Sequence, residues 1–216
     1  MSARPLPFAP PDYSGPPVDI WQIDLDQSAA EDSLSPEERQ RAERLRLPLV
    51  RRRFVAARVA LRRVLSGYTG LEPGALRFDY GPTGKPSLAG FDWPQFNLSH
   101  CDDLALLAIS ALPVGVDVER VRPLDALPQM MQIACSPAER QALRALPESR
   151  RLRAFFFTWT RKEALMKAHG AGFKLAHELS LPVGDAPQTV HTGSYSVYDL
   201  PLPGDLLAAV AVQAGI

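Results

Sequence analysis

A chain of 216 residues can bury a substantial core, either as one large domain or as two small ones packed together. Its 24 basic and 24 acidic side chains balance, yet Arg39 to Arg63 carries ten arginines against the single acid Glu43, a local polarisation suited to nucleic acid, a phosphorylated ligand or an acidic protein. The two cysteines, Cys101 and Cys135, form neither a disulfide framework nor a metal-spaced pair, and no secretory leader or uncharged apolar run of roughly 18 residues is present, so the expectation is a soluble, cytoplasmic protein.

Residues 1–17 are crowded with proline and read as an extended arm with little regular structure. Val18 to Leu25 alternates apolar and polar residues, the pattern of a half-buried strand. Ser35-Pro-Glu-Glu38 is a capping box with proline at the first helical position, and the helix it opens should end before Pro48. A second helix is expected from about Leu49 to Tyr68, ended by Gly67 and Gly70. Its apolar face carries Phe54, Ala57, Leu61, Val64, Leu65 and Tyr68, with Arg51, Arg52, Arg58 and Arg62 largely off it. Leu76 to Tyr80 reads as a strand, Gly81 to Pro86 as a tight loop and Phe96 to His100 as another strand. Leu104 to Ser110 reads as a strand buried on both faces, and Val114 to Glu119 opens a further one.

The pattern then repeats. Ser136-Pro-Ala-Glu-Arg-Gln141 matches Ser35-Pro-Glu-Glu-Arg-Gln40 at five of six positions, at an offset of 101 residues. At a similar offset Phe155 and its helix correspond to Phe54 and the first long helix, and Leu206 to Val212 corresponds to Leu104 to Ser110. The fold class expected is α+β, with two similar halves, each a small antiparallel sheet packed on a long helix, meeting as an intramolecular pseudo-dimer joined near Pro113. The arm would be 1–17, the N-terminal half 18–113 and the C-terminal half 114–216. A site formed where the halves meet would draw on both.

The stretch from Phe155 to Phe173 reads as a helix, with no glycine or proline before Gly170. Phe155, Trp159, Leu165 and Met166 offer apolar contacts, while Glu163 and Lys167, four apart, project from one side. On the strand at 114–119, Asp117 and Glu119 point to one face and Val116 and Val118 to the other. Two adjacent acids repel unless solvated or bridged by a cation. With Glu163 they make three oxygen donors without histidine or thiolate, a composition that suits Mg²⁺. The chain has four lysines, Lys85, Lys162, Lys167 and Lys174. Lysine meets phosphate as a compact charge and can give up its proton, so these groups together are equipment for phosphoryl-type transfer.

Gly84-Lys-Pro86, Phe96-Asn-Leu-Ser-His100, Gly115-Val-Asp-Val-Glu119 and Trp159-Thr-Arg-Lys-Glu-Ala-Leu-Met-Lys167 resemble the ordered motifs of the 4′-phosphopantetheinyl transferases, specifically the larger, pseudo-dimeric surfactin-synthetase-activating type, over roughly residues 18 to 212. The resemblance implies that Asp117, Glu119 and Glu163 hold Mg²⁺ against the pyrophosphate of coenzyme A, which Lys162 and Lys167 neutralise. It places the coenzyme A nucleotide on the N-terminal half, with Lys85 and Pro86 bordering the adenine and Ser99, His100 and an arginine of the Arg51 to Arg53 run, Arg53 foremost, on the 3′-phosphate. The C-terminal half would be the Mg²⁺ and catalytic side.

In the implied reaction a serine of an apo acyl or peptidyl carrier protein attacks the β-phosphate and releases 3′,5′-ADP, giving the holo carrier of fatty-acid, polyketide or nonribosomal-peptide synthesis. Glu163 is the favoured base, directly or through water, with Asp117 beside it and Lys167 placed to protonate the leaving phosphate. Glu139 falls where the family can have an acid reaching toward the active-site lysine, although the local pattern reads as capping. Two other classes stay open: a non-catalytic module that docks a carrier protein or nucleic acid on the Arg39 to Arg63 face, and a Mg²⁺-dependent phosphohydrolase. A monomer without membrane or nucleic-acid partners is expected, because the duplication already supplies both halves of the site.

Overall fold

A computed structural model of the chain describes residues 3–10, 12–170, 172 and 176–214; Phe173 and Lys174 of the charged-helix stretch lie outside these. The N-terminal half runs β1 (Ala3–Leu6), β2 (Val18–Asp24), α1 (Pro36–Arg44), α2 (Pro48–Thr69), β3 (Phe78–Tyr80), β4 (Pro86–Leu88), β5 (Gln95–Cys101) and β6 (Leu104–Ser110). The C-terminal half follows with β7 (Val114–Arg120), α3 (Leu127–Ala134), α4 (Pro137–Ala145), α5 (Glu148–His169), β8 (Thr189–Thr192), β9 (Tyr195–Leu200) and β10 (Leu206–Gln213).

Two four-stranded antiparallel sheets form, ordered β1-β2-β6-β5 and β7-β10-β9-β8, with β3 and β4 as a separate hairpin. In each half the opening strand, β2 or β7, lies beside the closing strand, β6 or β10, which is flanked on its other side by β5 or β9. The fold is thus α+β and two-halved. Ile20, Leu106 and Ala108 of one sheet face Val116, Val118 and Val210 of the other in a shared core. On the outer faces α2 packs Ala57, Leu61 and Leu65 on Ile23, Leu107 and Ile109, and α5 packs Ala164, Leu165 and Ala168 on Val197, Ala209 and Ala211. The layers therefore run helix, sheet, sheet, helix, which explains why every residue of β6 is buried. Among the described residues no helix is long and apolar enough to cross a membrane.

Three expectations need correction. The proline-rich arm is not without regular structure: β1 pairs antiparallel with β2 as an edge strand, where Pro5 can sit without leaving a gap in a central ladder, and Phe8 and Tyr13 then pack on Tyr198 of the other half. Gly67 does not end α2, which continues to Thr69 and stops at Gly70 in the left-handed conformation (φ 71°), matched by Gly170 (φ 73°) after α5. Arg62, expected off the apolar face, is 1% exposed.

The burial of Arg62 is explained by its partner. Both capping boxes form, Ser35 with Glu38 and Ser136 with Glu139, and each glutamate also meets a buried cation on the long helix of its half. Glu38 accepts from Arg62 Nε at 2.6 Å, and Arg62 Nη1 donates to the carbonyls of Pro73 and Leu76. Glu139 accepts from Lys162 Nζ at 2.6 Å, and that ammonium donates to the carbonyl of Leu179. In both halves one ion pair ties the short helix, the long helix and the segment after it. The Arg39 to Arg63 stretch is accordingly less available than its sequence suggests: Arg51 pairs with Glu31, Arg52 and Arg53 with Asp26, and Arg58 and Arg62 with Glu38.

Removing one member of such a pair strands the other, at a cost of about 3–5 kcal/mol. Glu38→Gln should therefore destabilise the protein by about 3 kcal/mol at pH 7, measured by urea unfolding. Burial alone would raise the Glu38 carboxyl, but the charges of Arg58 and Arg62 and the Ser35 N–H outweigh it and hold it below its ordinary value. A carboxyl depressed on folding contributes stability above its unfolded pKa and loses that contribution as pH falls through the folded value. The gap between wild type and variant should hold at neutral pH and close only below about pH 4.5.

Candidate active site

The charged groups gather where β7 lies against α5. Because Val116 and Val118 face the sheet–sheet core, Gly115, Asp117 and Glu119 face the helix. Gly115 sets the separation: a Cβ there would lie 2.1 Å from the Ala164 carbonyl oxygen and 2.3 Å from the Ala168 nitrogen. The last turns of α5 consequently rest directly on the strand, which brings Glu163 and Lys167 over Asp117 and Glu119.

Every polar residue of Trp159 to Lys167 has a separate assignment around the helix. Trp159 Nε1 donates to Glu119 Oε1 at 3.2 Å, and the Thr160 hydroxyl bonds back to the helix carbonyls of Phe156 and Phe157. Arg161, fully buried, pairs with Asp199 of β9. Lys162 turns to Glu139. Lys167 Nζ donates to Asp117 Oδ1 at 2.6 Å and to Ser99 Oγ at 3.1 Å, and lies 3.9 Å from Glu163 Oε2.

The acids are under electrostatic strain. Burial raises the Glu119 carboxyl, and the charge of Asp117 adds to the rise. Burial likewise raises Glu163; Lys167 opposes this, while Asp117 and Glu119 add to it. Asp117 is 4% exposed, and its Oδ2 atom is buried without a hydrogen-bond partner. As they stand, among the described residues, no three carboxylate, imidazole or thiolate side chains converge closely enough to hold a metal ion. The donor chemistry nonetheless fits a hard divalent cation: three carboxylates, one with an orphaned oxygen and two lifted by burial and by the charge of Asp117.

From the N-terminal half, β5 and the loop before β4 border the same place. A cavity of about 310 Å³ is lined by Thr83, Gly84, Lys85, Pro86, Asn97, Leu98, Glu163, Met166 and Lys167. A second, of about 610 Å³, includes Arg41, Arg53, Phe54, Arg58, Tyr80 and His100, and shares Pro86, Asn97 and Leu98 with the first. The two adjoin along β5, so an elongated anionic ligand could run from His100 to Lys167. Lys85 Nζ donates to the carbonyls of Val114 (3.2 Å) and Ala168 (2.9 Å), pinning its loop to the C-terminal half, and burial lowers its pKa to about 8.

The structure separates two residues from the roles the resemblance implied. Lys162 is fully buried on Glu139 and borders neither cavity, because one step around the helix from Glu163 turns its side chain by about 100°. Glu139 therefore both caps α4 and holds this lysine. Ser99 and His100 are successive residues of a strand and face opposite ways: Ser99 Oγ donates to Asp117 Oδ1 at 2.8 Å, while His100 is exposed and lines the second cavity together with Arg53. Arg53 does border the second cavity, with its guanidinium on Asp26 at 2.8 Å.

Three contributors were missed. Asn97 Oδ1 accepts the Val116 N–H at 2.9 Å, joining the edge strands β5 and β7; its position two residues before Ser99, on the same strand face, was the available signal. Gly115 stands among valines, and an isolated glycine in a strand marks a close approach. Arg41 borders the second cavity, stacked on Phe54 at 5.2 Å, and pairs with no carboxylate among the described residues. No sequence signal separates it from the other arginines of its stretch.

Residues 113–206 match the family described as the 4′-phosphopantetheinyl transferase superfamily. The chain is 39% identical over 207 residues to the 4′-phosphopantetheinyl transferase HetI of Nostoc sp., covering 90% of this chain and 87% of that protein. It is 31% identical over 174 residues to psf-1 of Bacillus pumilus, covering 74% of each, and 26% identical over 168 residues to Sfp of Bacillus subtilis, covering 78% and 71%. Both of those proteins are also named 4′-phosphopantetheinyl transferases.

Two outcomes follow from this geometry. Gly115→Ala should lower stability by about 3 kcal/mol, seen as a reduced urea midpoint, because the new methyl meets helix backbone that cannot yield as a side chain would. Glu163→Gln should do the reverse. A carboxyl raised on folding binds its proton more tightly in the native state, so stability falls as pH climbs from the unfolded value of about 4.3 through the folded one. The glutamine variant should melt higher than wild type at pH 7 and lose that advantage at about pH 4.

Proposed function

The chain belongs to the 4′-phosphopantetheinyl transferase superfamily and is a transferase of the Sfp-like type, and we propose that it moves the 4′-phosphopantetheine group of coenzyme A onto a serine of an apo acyl or peptidyl carrier protein in a Mg²⁺-dependent reaction. The observation that carries this reading is the buried Asp117 carboxylate, with one oxygen lacking a hydrogen-bond partner, bonded to Lys167, which with Glu163 lines the cavity bordered by Lys85 and Pro86. Asp117, Glu119 and Glu163 would hold the ion. When bound, Mg²⁺ neutralises pyrophosphate charge and polarises the phosphorus under attack.

The chain's own groups supply the rest. Glu163 takes the proton of the carrier serine as its oxygen bonds to the β-phosphorus; the bond from that phosphorus to the bridging oxygen breaks, and 3′,5′-ADP leaves. The raised carboxyl of Glu163 suits a base. Lys167, its ammonium within reach of Glu163 and Asp117, meets the pyrophosphate and protonates the departing oxygen. Pro86 and the stem of Lys85 border the adenine, and His100 with Arg53 holds the 3′-phosphate, joined by Arg41, whose charge no carboxylate neutralises among the described residues. We assign the arm to 1–17, the nucleotide half to 18–113 and the catalytic half to 114–216. Both halves of the site lie in one chain, which supports a monomer, and two buried free cysteines fit the cytoplasm. The pairing of most arginines with acids argues against nucleic-acid docking on α2.

The test is the intact mass of an apo carrier protein incubated with this protein, coenzyme A and Mg²⁺, beside a sample containing EDTA. The expected result is a gain of one phosphopantetheine, absent with EDTA. Release of 3′,5′-ADP without any carrier would replace transfer with hydrolysis. In Glu163→Ala, turnover should fall on the order of a hundred- to a thousandfold, about 3 to 4 kcal/mol of barrier, and near-normal turnover would refute the assigned role.

A further inference from the structure

We infer that Ser99 is a positioning residue for the metal-binding carboxylate, turning Asp117 so that its Oδ2 faces a divalent cation, and not a ligand of the 3′-phosphate. This rests on the Mg²⁺ reading of the site. Ser99 is 7% exposed, on the face of β5 that meets the C-terminal half. Its single hydroxyl proton goes to Asp117 Oδ1 at 2.8 Å, and its oxygen accepts from Lys167 Nζ at 3.1 Å. The same ammonium donates to Asp117 Oδ1 at 2.6 Å, closing a three-membered ring of hydrogen bonds.

Two donors on one carboxylate oxygen fix the rotation of the group. The other oxygen, Oδ2, is left buried with no donor, an arrangement that costs free energy in isolation and is accounted for by a cation. The ring also joins the halves: Ser99 comes from β5, Asp117 from β7 and Lys167 from α5. His100, one residue on, points the opposite way into the cavity that holds Arg53 and Arg41. One strand thus serves two sites, with Ser99 on the metal side and His100 on the nucleotide side.

The experiment uses the full chain, with Mn²⁺ as the Mg²⁺ probe followed by the paramagnetic resonance of the free ion, and separately measures binding of coenzyme A against 3′-dephospho-coenzyme A. Ser99→Ala should weaken Mn²⁺ about 10- to 100-fold, the range typical when a group orienting a metal ligand is lost. It should leave the preference for coenzyme A over its 3′-dephospho form unchanged. His100→Ala should give the converse, an unchanged Mn²⁺ affinity and a reduced preference. Ser99→Thr, which keeps the hydroxyl, should restore Mn²⁺ binding and covers the case in which the alanine variant folds poorly. Wild-type Mn²⁺ affinity in Ser99→Ala, or loss of its 3′-phosphate preference, would overturn the inference alone. Failure of the wild type to bind Mn²⁺ would instead remove the metal reading on which it stands.

Discussion

The contact on which the site depends is that of α5 with β7 at Gly115. A side chain at this position would collide with the backbone of the helix, so the last turns of α5 can lie on the strand only because a hydrogen stands there. That separation lets Lys167 reach Asp117 and puts the Trp159 indole on Glu119. Burial raises the carboxyls of Glu119 and Glu163, the charge of Asp117 adds to both, and the protein carries that unfavourable charge in its folded state. Active sites commonly hold groups whose environment costs stability, and here the cost sits on the residues proposed to meet the cation.

The same architecture occurs twice with different outcomes. The strand registers align Trp21 and Ile23 of β2 with Asp117 and Glu119 of β7, since Trp21 faces Leu107 and Asp117 faces Ala209 in the equivalent ladders. The ends of the long helices, at Gly70 and Gly170, align Arg63 and Gly67 with Glu163 and Lys167. Where the C-terminal half has acids against its helix, the N-terminal half has an apolar contact. What both retain is structural: a capping-box glutamate holding a buried cation, Arg62 in one and Lys162 in the other. The scaffold is shared by both halves, and the carboxylates stand in one of them. The first half instead offers β5, whose Asn97 and Ser99 reach across to β7 and bond to the Val116 N–H and the Asp117 carboxylate.

Much of this was legible in the sequence because it is local. The capping boxes, the long helices, the continuous apolar run of β6 and the projection of Asp117 and Glu119 to one face of β7 follow from side-chain periodicity, apolar runs and short-range hydrogen bonds. The repeat made the two halves visible. Less legible were α3, which lacks a side-chain cap, and the short strands β8 and β9, as well as β1, a proline-bearing edge strand that exists only because β2 offers it a partner.

By itself, then, the sequence determined the α+β halves, their order and the set of charged residues able to meet a phosphorylated ligand. Tertiary structure decided which of these groups share one space. Lys162 and Glu163 are neighbours in the chain, yet the helical turn sends one to Glu139 in the interior and the other to the site. Ser99 and His100 are neighbours too, and the strand divides them between the Asp117 carboxylate and the arginine-lined cavity. Ten arginines look alike in a row, but the acids folded against them leave Arg41 facing that cavity without an acidic partner among the described residues. The physical reason is common to all three: a side chain's charge is written locally, whereas its neutralisation depends on partners tens of residues away that only packing brings near.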